Sequence, residues 1–213
     1  MPEFEEISEK MRMQEKKYHH GDLRNALIEA GIELINEYGE SGMSLRKVAA
    51  KCGVSAAAPY AHFQNKEEML GAIQDHITEQ MMEELPKVLS DEKSALDNML
   101  ALGEAYIQFF MNHPTYFKFF CFSSHMSINL TKEADADAYP PYLEFRKYAL
   151  ACLREMGCDE KKDLYCMVNM WATVQGIALL ATQPNVTYAG NWKDDLMLIL
   201  TNGRSDETDN NTR

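Results

Sequence analysis

Apolar residues recur every three or four positions along most of the chain, and this is the spacing of one face of an α-helix. The clearest case begins at Asp22 and runs to Tyr38, after which Gly39 is a typical helix end. No alternating strand pattern is sustained anywhere. The sequence therefore predicts an all-α fold, with further helices over about residues 65–85, 94–113, 116–126, 142–156 and 161–182 and a short last helix ending near residue 201.

Residues 44–66 have the layout of two short helices joined by a tight turn. Ser44 is placed to cap the first helix, and Gly53 can supply the left-handed conformation that ends it. Ser55 is expected to cap the second helix, which Pro59 keeps short because proline lacks a backbone N–H. Two helices joined through a glycine-containing turn form a DNA-binding arrangement, in which the second helix enters the major groove.

The segment GVSAAAPYAHFQNKEEML, residues 53–70, resembles the family of transcriptional regulators named after the tetracycline repressor, the TetR family. The likeness rests on Gly-Val-Ser, Tyr-x-His-Phe and Lys-Glu at matching positions, and it covers roughly residues 18–85. Pro59 stands where Leu or Ile is usual, which is similar to a subgroup carrying Ala-Ala-Pro-Tyr. Residues 171–176 resemble the Trp-x-x-x-His-Gly signature of that subgroup, with Gln175 in place of His.

The resemblance implies a helical protein in two parts. A three-helix helix-turn-helix DNA-binding domain is expected at residues 18–64, and a helical domain for ligand binding and dimerisation at residues 65–202. Residues 1–17 are expected to form a polar N-terminal arm, and residues 203–213 a disordered tail. The helix that begins at Asn65 would link the two domains and carry any signal between them.

The resemblance also implies that Tyr60 and His62 donate hydrogen bonds to DNA phosphates and that Lys66 adds positive charge at a helix N-terminus. The alternative is that Tyr60 and Phe63 only pack the second helix against the rest of the domain. Three further residues are well placed for contacts with the DNA backbone: Ser44, Arg46 and Ser55.

Direct contact with bases would come largely from Ala56, Ala57 and Pro59. These side chains can touch thymine methyl groups, but they form no bidentate hydrogen bonds. Recognition of the DNA sequence is therefore expected to depend partly on DNA shape and on the basic end of the N-terminal arm.

A net charge of −12 would repel DNA phosphates if it were spread evenly. Residues 16–66, however, hold seven Lys or Arg against five Asp or Glu, whereas residues 1–15 and 67–213 are both net acidic. The predicted DNA-facing segment is therefore locally basic. An acidic body turned away from the duplex would suppress loose binding and leave the affinity strongly dependent on salt.

Aromatic residues are concentrated between positions 109 and 122. Core packing explains many of them, and the functional alternative is the wall of a pocket for an apolar ligand, because aromatic and Met-lined cavities between helices suit such molecules. The residues predicted to bind a small molecule are Phe109, Phe110, Phe117, Phe120, Met126, Trp171 and Gln175.

The five cysteines form no Cys-x-x-Cys pair, which indicates reduced thiols in a cytoplasm. No leader-like segment opens the chain, and the most apolar stretch, Val168 to Thr182, is expected to fall short of a membrane span. His19 and His20 have no metal-ligand spacing partners, so no metal and no cofactor are predicted. A redox-sensor role for Cys152, Cys158 or Cys166 is the minor alternative to simple packing.

These features together predict a homodimeric transcriptional repressor that binds a palindromic operator in double-stranded DNA and is released by a small-molecule effector. An activator or a ligand-independent regulator is the alternative among binding proteins. An all-helical enzyme is less favoured, because no clustered acid, base or nucleophile pattern is present. The dimer is expected to close through residues 161–202, whose apolar residues include Met167, Met170, Trp171, Val174, Ala178, Leu196, Ile199 and Leu200.

Overall fold

The computed structural model describes residues 23–122, 128–130, 139–192 and 194–200, and the regular elements in these ranges are all helical. The predicted fold class is confirmed for this part of the chain. The chain divides into two compact units, one up to His76 and one from Ile77 onward. This division falls inside a helix, twelve residues after the predicted domain end at residue 64.

The helices follow the predicted order. The first unit contains α1 (Leu23–Tyr38), α2 (Leu45–Lys51), the first part of α3 (Lys66–Glu84) and short 3₁₀ helices at Glu40–Gly42 and Ala58–Ala61. The second unit contains the rest of α3, α4 (Ala95–Asn112), α5 (Pro114–Phe122), α6 (Pro140–Glu155), α7 (Asp163–Thr182), α8 (Leu196–Leu200) and 3₁₀ helices at Leu85–Val88 and Glu160–Lys162.

Helix α1 is buried over a wider arc than its apolar repeat predicts. The repeat that predicts this helix runs through Leu23, Ala26, Leu27, Ala30, Gly31, Leu34, Ile35 and Tyr38. Ile28 and Ile32 lie off this repeat and are fully buried, whereas Tyr38 lies on it and is 61% exposed. The cause is that α1 contacts both α2 and α3 within the first unit. A Cβ at Gly31 would lie only 2.6 Å from the Cε of Met69, so α1 and α3 approach closely at this point.

Local hydrogen bonds set both ends of α2 as the sequence predicts. The Ser44 hydroxyl accepts a hydrogen bond from the Lys47 N–H at 3.3 Å and caps the helix. Gly53 has a φ of 66°, and the Val54 N–H donates to the Ala49 carbonyl at 3.0 Å, the bond typical of a Schellman motif. The turn after α2 therefore depends on the left-handed backbone that glycine adopts most easily.

The second helix of the pair is a single 3₁₀ turn, Ala58–Ala61, which confirms that it is short. Pro59 has no N–H, and its ring would clash with the carbonyl four residues earlier, so a regular α-helical ladder is excluded there. The predicted Ser55 cap was wrong. The N-cap is Ala57, without a side-chain bond, and Ser55 contributes only its carbonyl, which accepts from the Ala58 N–H at 2.9 Å.

Asn65, followed three residues later by Glu68, predicts a capping box at the start of α3, and the structure has it with one of its two bonds shifted by one residue. The Asn65 side-chain oxygen accepts from the Glu68 N–H at 2.8 Å, which confirms Asn65 as the cap. In a standard capping box, the Glu68 carboxylate would accept from the Asn65 N–H. Here it accepts from the Gln64 N–H at 2.6 Å instead.

Helix α4 is the central element of the second unit and packs against both α6 and α7. The Ser94 hydroxyl caps it by accepting from the Asp97 N–H at 3.0 Å, and the Glu155 carboxylate of α6 accepts from the Ala95 N–H at 2.9 Å. Its buried residues follow the helical repeat: Asn98, Met99, Leu102, Gly103, Tyr106, Ile107, Phe109 and Phe110.

Two buried polar side chains fix the connections of this unit. Asn98 is 5% exposed and exchanges hydrogen bonds with both backbone groups of Ser90, at 3.0 Å and 2.8 Å, which holds the loop before α4. Asp163 is 1% exposed at the start of α7 and pairs with Arg154 near the end of α6. Both groups are satisfied in part by contacts that the sequence does not reveal.

The segment Glu160–Thr182 is long and apolar enough to cross a membrane by length and composition. The prediction that this stretch falls short of a membrane span was therefore wrong on those criteria, because the helix begins well before Val168. One such helix is weak evidence for a membrane protein, since core helices pass the same test. Only 22% of its most apolar stretch is buried, however, so it presents apolar surface outward.

Replacing Gly53 with Ala is expected to lower the free energy of unfolding of the first unit by about 1 kcal/mol. No atom lies within 4 Å of the added Cβ, so the cost would come from the left-handed backbone alone. Gly71→Ala in α3 is the matched control, because its Cβ also meets nothing within 4 Å and its backbone is helical. That variant should gain about 0.5–1 kcal/mol. Equal effects of the two changes in urea denaturation would contradict this account of the turn.

Candidate nucleic-acid interface and cavities of the second unit

Most residues predicted to contact DNA are accessible in the first unit. Tyr60 is 53% exposed, whereas Phe63 is 1% exposed and sits with the Arg24 guanidinium 5.6 Å from its ring centroid. Phe63 therefore anchors the short helix and leaves the Tyr60 hydroxyl available to a ligand. The other exposed residues of the predicted set are Arg46, Ser55, Ala56 and Ala57, and His62 is half-buried.

Pro59 is the exception, because it is the buried residue of the 3₁₀ turn Ala58–Ala61. Its carbonyl accepts hydrogen bonds from the His62 and Phe63 N–H groups, both at 2.9 Å. The predicted contact of its ring with a base is therefore corrected: Pro59 shapes the backbone and packs inward. Of the three residues expected to touch thymine methyl groups, only Ala56 and Ala57 lie at the surface.

Lys66 and Ser44 have structural bonds besides their predicted role at DNA. The Lys66 ammonium donates to the Glu40 carbonyl at 2.6 Å and so ties the start of α3 to the loop after α1. An ammonium has three donors, so a phosphate can still be bound. Glu67 and Glu68 lie in the first turn of α3, where their negative charge offsets part of the positive helix end.

The cations of α2 differ in how far they are engaged inside the unit. Lys51 forms ion pairs with Glu33 at 2.8 Å and Glu37 at 3.5 Å, and the hydrogen bond to Glu33 is the main reason that its pKa is raised. Lys47 donates to the Gly42 carbonyl at 2.6 Å. Arg46 is exposed and has no ion pair within the described ranges, so its charge is the most available to DNA.

The residues predicted to bind a small molecule separate into core and cavity positions. Phe110 is fully buried among the rings of Tyr106, Phe117 and Phe120, which makes it a packing residue. Phe109 is also buried and reaches only a shallow cleft beside Gln108 on α4. Met126 lies outside the described residues, as do the N-terminal arm and the tail.

Phe117, Phe120 and Gln175 are brought together around one cleft of about 410 Å³ between α5 and α7. This volume is within the range of roughly 300–1,000 Å³ that is typical of small-molecule sites. No charged side chain lines it within the described chain, which favours an uncharged occupant. Its other lining residues are Cys121, Ile128, Gly176 and Leu179.

Gln175 also faces an internal void of about 30 Å³ that Trp171 helps to line. Here the Tyr106 hydroxyl donates to the Gln175 side-chain oxygen at 2.8 Å, which leaves the amide N–H groups of Gln175 as donors. Burial raises the pKa of Tyr106 well above its usual value, so this hydroxyl stays protonated. The sequence alone places Tyr106 only on the apolar repeat of α4, because its polar partner is 69 residues away.

Nothing in the sequence indicated a groove of about 910 Å³ that lies between α4, α6, α7 and α8. None of its lining residues was predicted to bind a ligand. They are mostly ordinary apolar residues contributed by four helices, so no local spacing marks them. Leu100, Cys152, Met170 and Leu196 are representative members, one from each helix.

Two observations in the described ranges bear on metal binding and on thiol reactivity. No group of three His, Cys, Asp or Glu residues there could hold a metal ion. Burial raises the pKa of the Cys121 thiol to about 11 and also raises the pKa of Cys152, so both remain protonated at neutral pH and react slowly. His19 and His20 lie outside the described residues.

Residues 27–73 match the family model of the bacterial regulatory proteins of the tetR family. The tetracycline repressor protein class A from transposon 1721 of Escherichia coli is 36% identical over 73 residues, which are 34% of this chain and 34% of that repressor. The chain therefore matches about a third of the length of this curated relative.

Solved structures extend the likeness to most of the chain at low identity. A bacterial regulatory protein of the tetR family from Rhodococcus RHA1 has a TM-score of 0.65 at 15% identity, over 84% of this chain and 93% of that one. The ketosteroid transcriptional regulator KstR2 of Mycobacterium tuberculosis has a TM-score of 0.61 at 14% identity, over 85% and 95% of the two chains. At such identities these likenesses show a shared helical fold.

Proposed function

We propose that this chain is a bacterial transcriptional regulator of the TetR family and that it acts as a dimeric repressor released from a palindromic operator by a small molecule. The observation that carries the proposal is the capped helix-turn-helix of residues 44–66, with Tyr60 and Arg46 exposed beside it. A regulator of this kind acts by binding DNA, without catalysis. Its proposed place of action is the cytoplasm, and the Ala-Ala-Pro-Tyr segment supports membership of the subgroup with that sequence.

The DNA contacts divide into backbone and base contacts. Tyr60, His62, Arg46 and Lys66 would hold phosphates, and such contacts fix the position of the protein on the duplex without reading its sequence. Base contacts are limited to the methyl groups of Ala56 and Ala57, together with whatever the N-terminal arm supplies. Specificity would then rest largely on the shape and deformability of the operator, with two half-sites about one helical turn apart.

Tyr60→Phe is expected to weaken operator binding by about two- to tenfold, because one neutral hydrogen bond to a phosphate is lost. An operator duplex would first be selected from a random library with the wild-type chain. The affinity of each variant for this duplex would then be measured by fluorescence anisotropy. The salt dependence should stay unchanged, since no charge is removed. Tyr38→Phe is the control, as Tyr38 is 61% exposed in the same unit and outside the predicted contacts. An equal loss in both variants would refute the Tyr60 contact.

The dimer is proposed to form through the outward face of α7. Val168 is 38% exposed and Leu180 is 42% exposed, and both lie on the side of the helix that carries Ala172. A Cβ at Gly176 would meet nothing within 4 Å, so this glycine is not required by packing within the chain. Small residues on an exposed apolar helix face allow a second helix to approach closely, and a two-fold axis there would match a palindromic operator.

This face differs from the one that the sequence indicated. Four of the residues predicted for the interface are between 0% and 9% exposed and form the core of a single chain: Met167, Val174, Ala178 and Leu196. These four residues pack inside the chain beneath the proposed interface, and the partner would contact other positions of α7.

Ala172→Glu is expected to weaken the dimer by roughly tenfold or more, because an unpaired carboxylate would be buried at the interface. Ala151→Glu is the matched control, since Ala151 is equally an exposed alanine on a helix, here α6. Sedimentation equilibrium at micromolar concentration would measure both. A wild-type chain that is monomeric at these concentrations, or equal dissociation of the two variants, would argue against the α7 interface.

The effector is proposed to occupy the cleft formed by Phe117, Phe120 and Gln175. The adjacent residue, Tyr116, accepts a hydrogen bond on its hydroxyl from the Gln80 side chain of α3 at 3.2 Å. Because α3 runs through both units, a ligand that displaces α5 could change the position of α3 through this contact. An energetic coupling of about 1–3 kcal/mol between the two sites is typical of such regulation.

Phe117 and Phe120 are 2% and 4% exposed, so their replacement by Ala would cost about 3–5 kcal/mol and disturb the core. Tyr116→Phe is the sharper test, because it keeps the ring and removes only the hydroxyl that meets Gln80. Effectors would first be found by a thermal-shift screen run with and without operator DNA. The variant should bind the screened effector within a factor of two, and the ratio of DNA affinities without and with effector should fall by about two- to tenfold.

Tyr165→Phe is the control for this coupling test, because Tyr165 is 75% exposed and does not line the cleft. An unchanged affinity ratio in Tyr116→Phe would show that the signal does not pass through the Gln80 contact. If the screen found no molecule that lowers the affinity for DNA, this result would count against release by a ligand as a whole.

A further inference from the structure

The cavity of greatest volume among those described above shares no lining residue with the proposed effector cleft. It is the groove of about 910 Å³ between α4, α6, α7 and α8, which we call the four-helix groove. Leu100, Cys166, Met170 and Leu196 are among the apolar or weakly polar side chains that line it. A volume of this size holds an organic molecule, and flexible Met side chains adapt to apolar ligands of irregular shape.

The groove carries one charged side chain among its described lining residues, Lys162, at the N-terminus of α7. Lys162 forms no ion pair within the described chain. Its acidic neighbours are engaged elsewhere: Asp159 accepts a hydrogen bond from the Lys161 N–H at 3.0 Å, and Glu160 lies 3.8 Å from the Arg154 guanidinium. Asp163, the next residue, is buried and paired with the same arginine. A cation is therefore left at one end of an otherwise uncharged, mostly apolar groove.

The shape of the lining indicates an elongated occupant. Along α7 the groove extends from Lys162 to Val174, which is twelve residues, or about 18 Å at the rise of an α-helix. The polar group of a ligand would lie at the Lys162 end, and its apolar part would extend along Cys166 and Met170.

Neither the chain's own tail nor the proposed partner chain suits this groove. Residues 201–213, which follow the last lining residue Leu200, contain no apolar side chain. The proposed dimer face is centred on Ala172, two residues from Met170 and so about 200° around the helix. Positions with this spacing do not share a face.

We propose that the four-helix groove binds an elongated apolar molecule that ends in a single anionic group, such as a carboxylate, held by Lys162. The apolar part is bound by removal of its surface from water, and the anionic group adds affinity and sets the direction of binding. This inference does not rest on the proposed effector cleft or on DNA binding, because it concerns a different cavity and is tested without DNA.

Two fluorescent probes of nearly the same shape test the requirement for an anion. Anilinonaphthalene sulfonate carries one negative charge, whereas N-phenylnaphthylamine is the same ring system without it, and both become bright in apolar surroundings. With the wild-type chain, the sulfonate should bind saturably at one site per chain and be displaced by dodecanoate. Dodecanol should displace it at least threefold less effectively.

Lys162→Gln is expected to weaken binding of the sulfonate about three- to fivefold and to leave the neutral probe within a factor of two. Lys161→Gln is the matched control, because Lys161 is an exposed lysine of the same 3₁₀ turn and does not line the groove. Both positions are exposed, so the variants should fold normally, and circular dichroism melting would confirm this.

Equal effects of Lys161→Gln and Lys162→Gln on the sulfonate would overturn the proposal, as would equal loss of both probes in Lys162→Gln. Binding without saturation would also overturn it, because it would show general adhesion to apolar surface. Probe binding per chain would also be compared below and above the protein concentration at which the dimer forms. A loss of binding on dimer formation would show that a second copy of the chain fills the groove, and it would refute the ligand site.

Discussion

The second unit has more apolar helix surface than one chain can cover, and its main features follow from this imbalance. Helix α7 is apolar around most of its circumference, yet only 22% of its most apolar stretch is buried. One side packs on the central helix α4. The remaining surface forms the wall of the four-helix groove, the effector cleft and the proposed dimer face, and Gly176 lies at the edge that the last two share. Because exposed apolar surface is costly in water, each of these sides favours an occupant.

In the first unit, the main constraint is the backbone conformation that Gly53 and Pro59 impose on the helix-turn-helix. Gly53 ends α2 in the left-handed conformation, residues 52–57 connect it to the next helix, and Pro59 limits that helix to a single 3₁₀ turn. Phe63 anchors this short segment in the core, which frees Tyr60 to point outward. The surface offered to DNA is therefore small, and its polar donors are suited to phosphates more than to bases.

Buried polar contacts connect these apolar elements and give the second unit its specific geometry. Asn98 holds the loop before α4, Arg154 pairs with Asp163 at the junction of α6 and α7, and Tyr106 orients Gln175 at the cleft. A polar group inside a protein costs free energy unless it finds its partner, so each contact favours one arrangement of the helices over others of similar apolar burial. A ligand that alters one such contact can therefore shift the balance between arrangements.

Local sequence by itself determined the all-α class, the Ser44 cap, the Gly53 turn and the motif that marks the DNA-binding domain. These features depend on backbone chemistry and on residues within a few positions of each other. Tertiary structure decided which residues are used, because burial depends on neighbours far along the chain. It placed Pro59 and Phe110 inside, turned a different side of α7 outward, and assembled the four-helix groove from helices up to about a hundred residues apart.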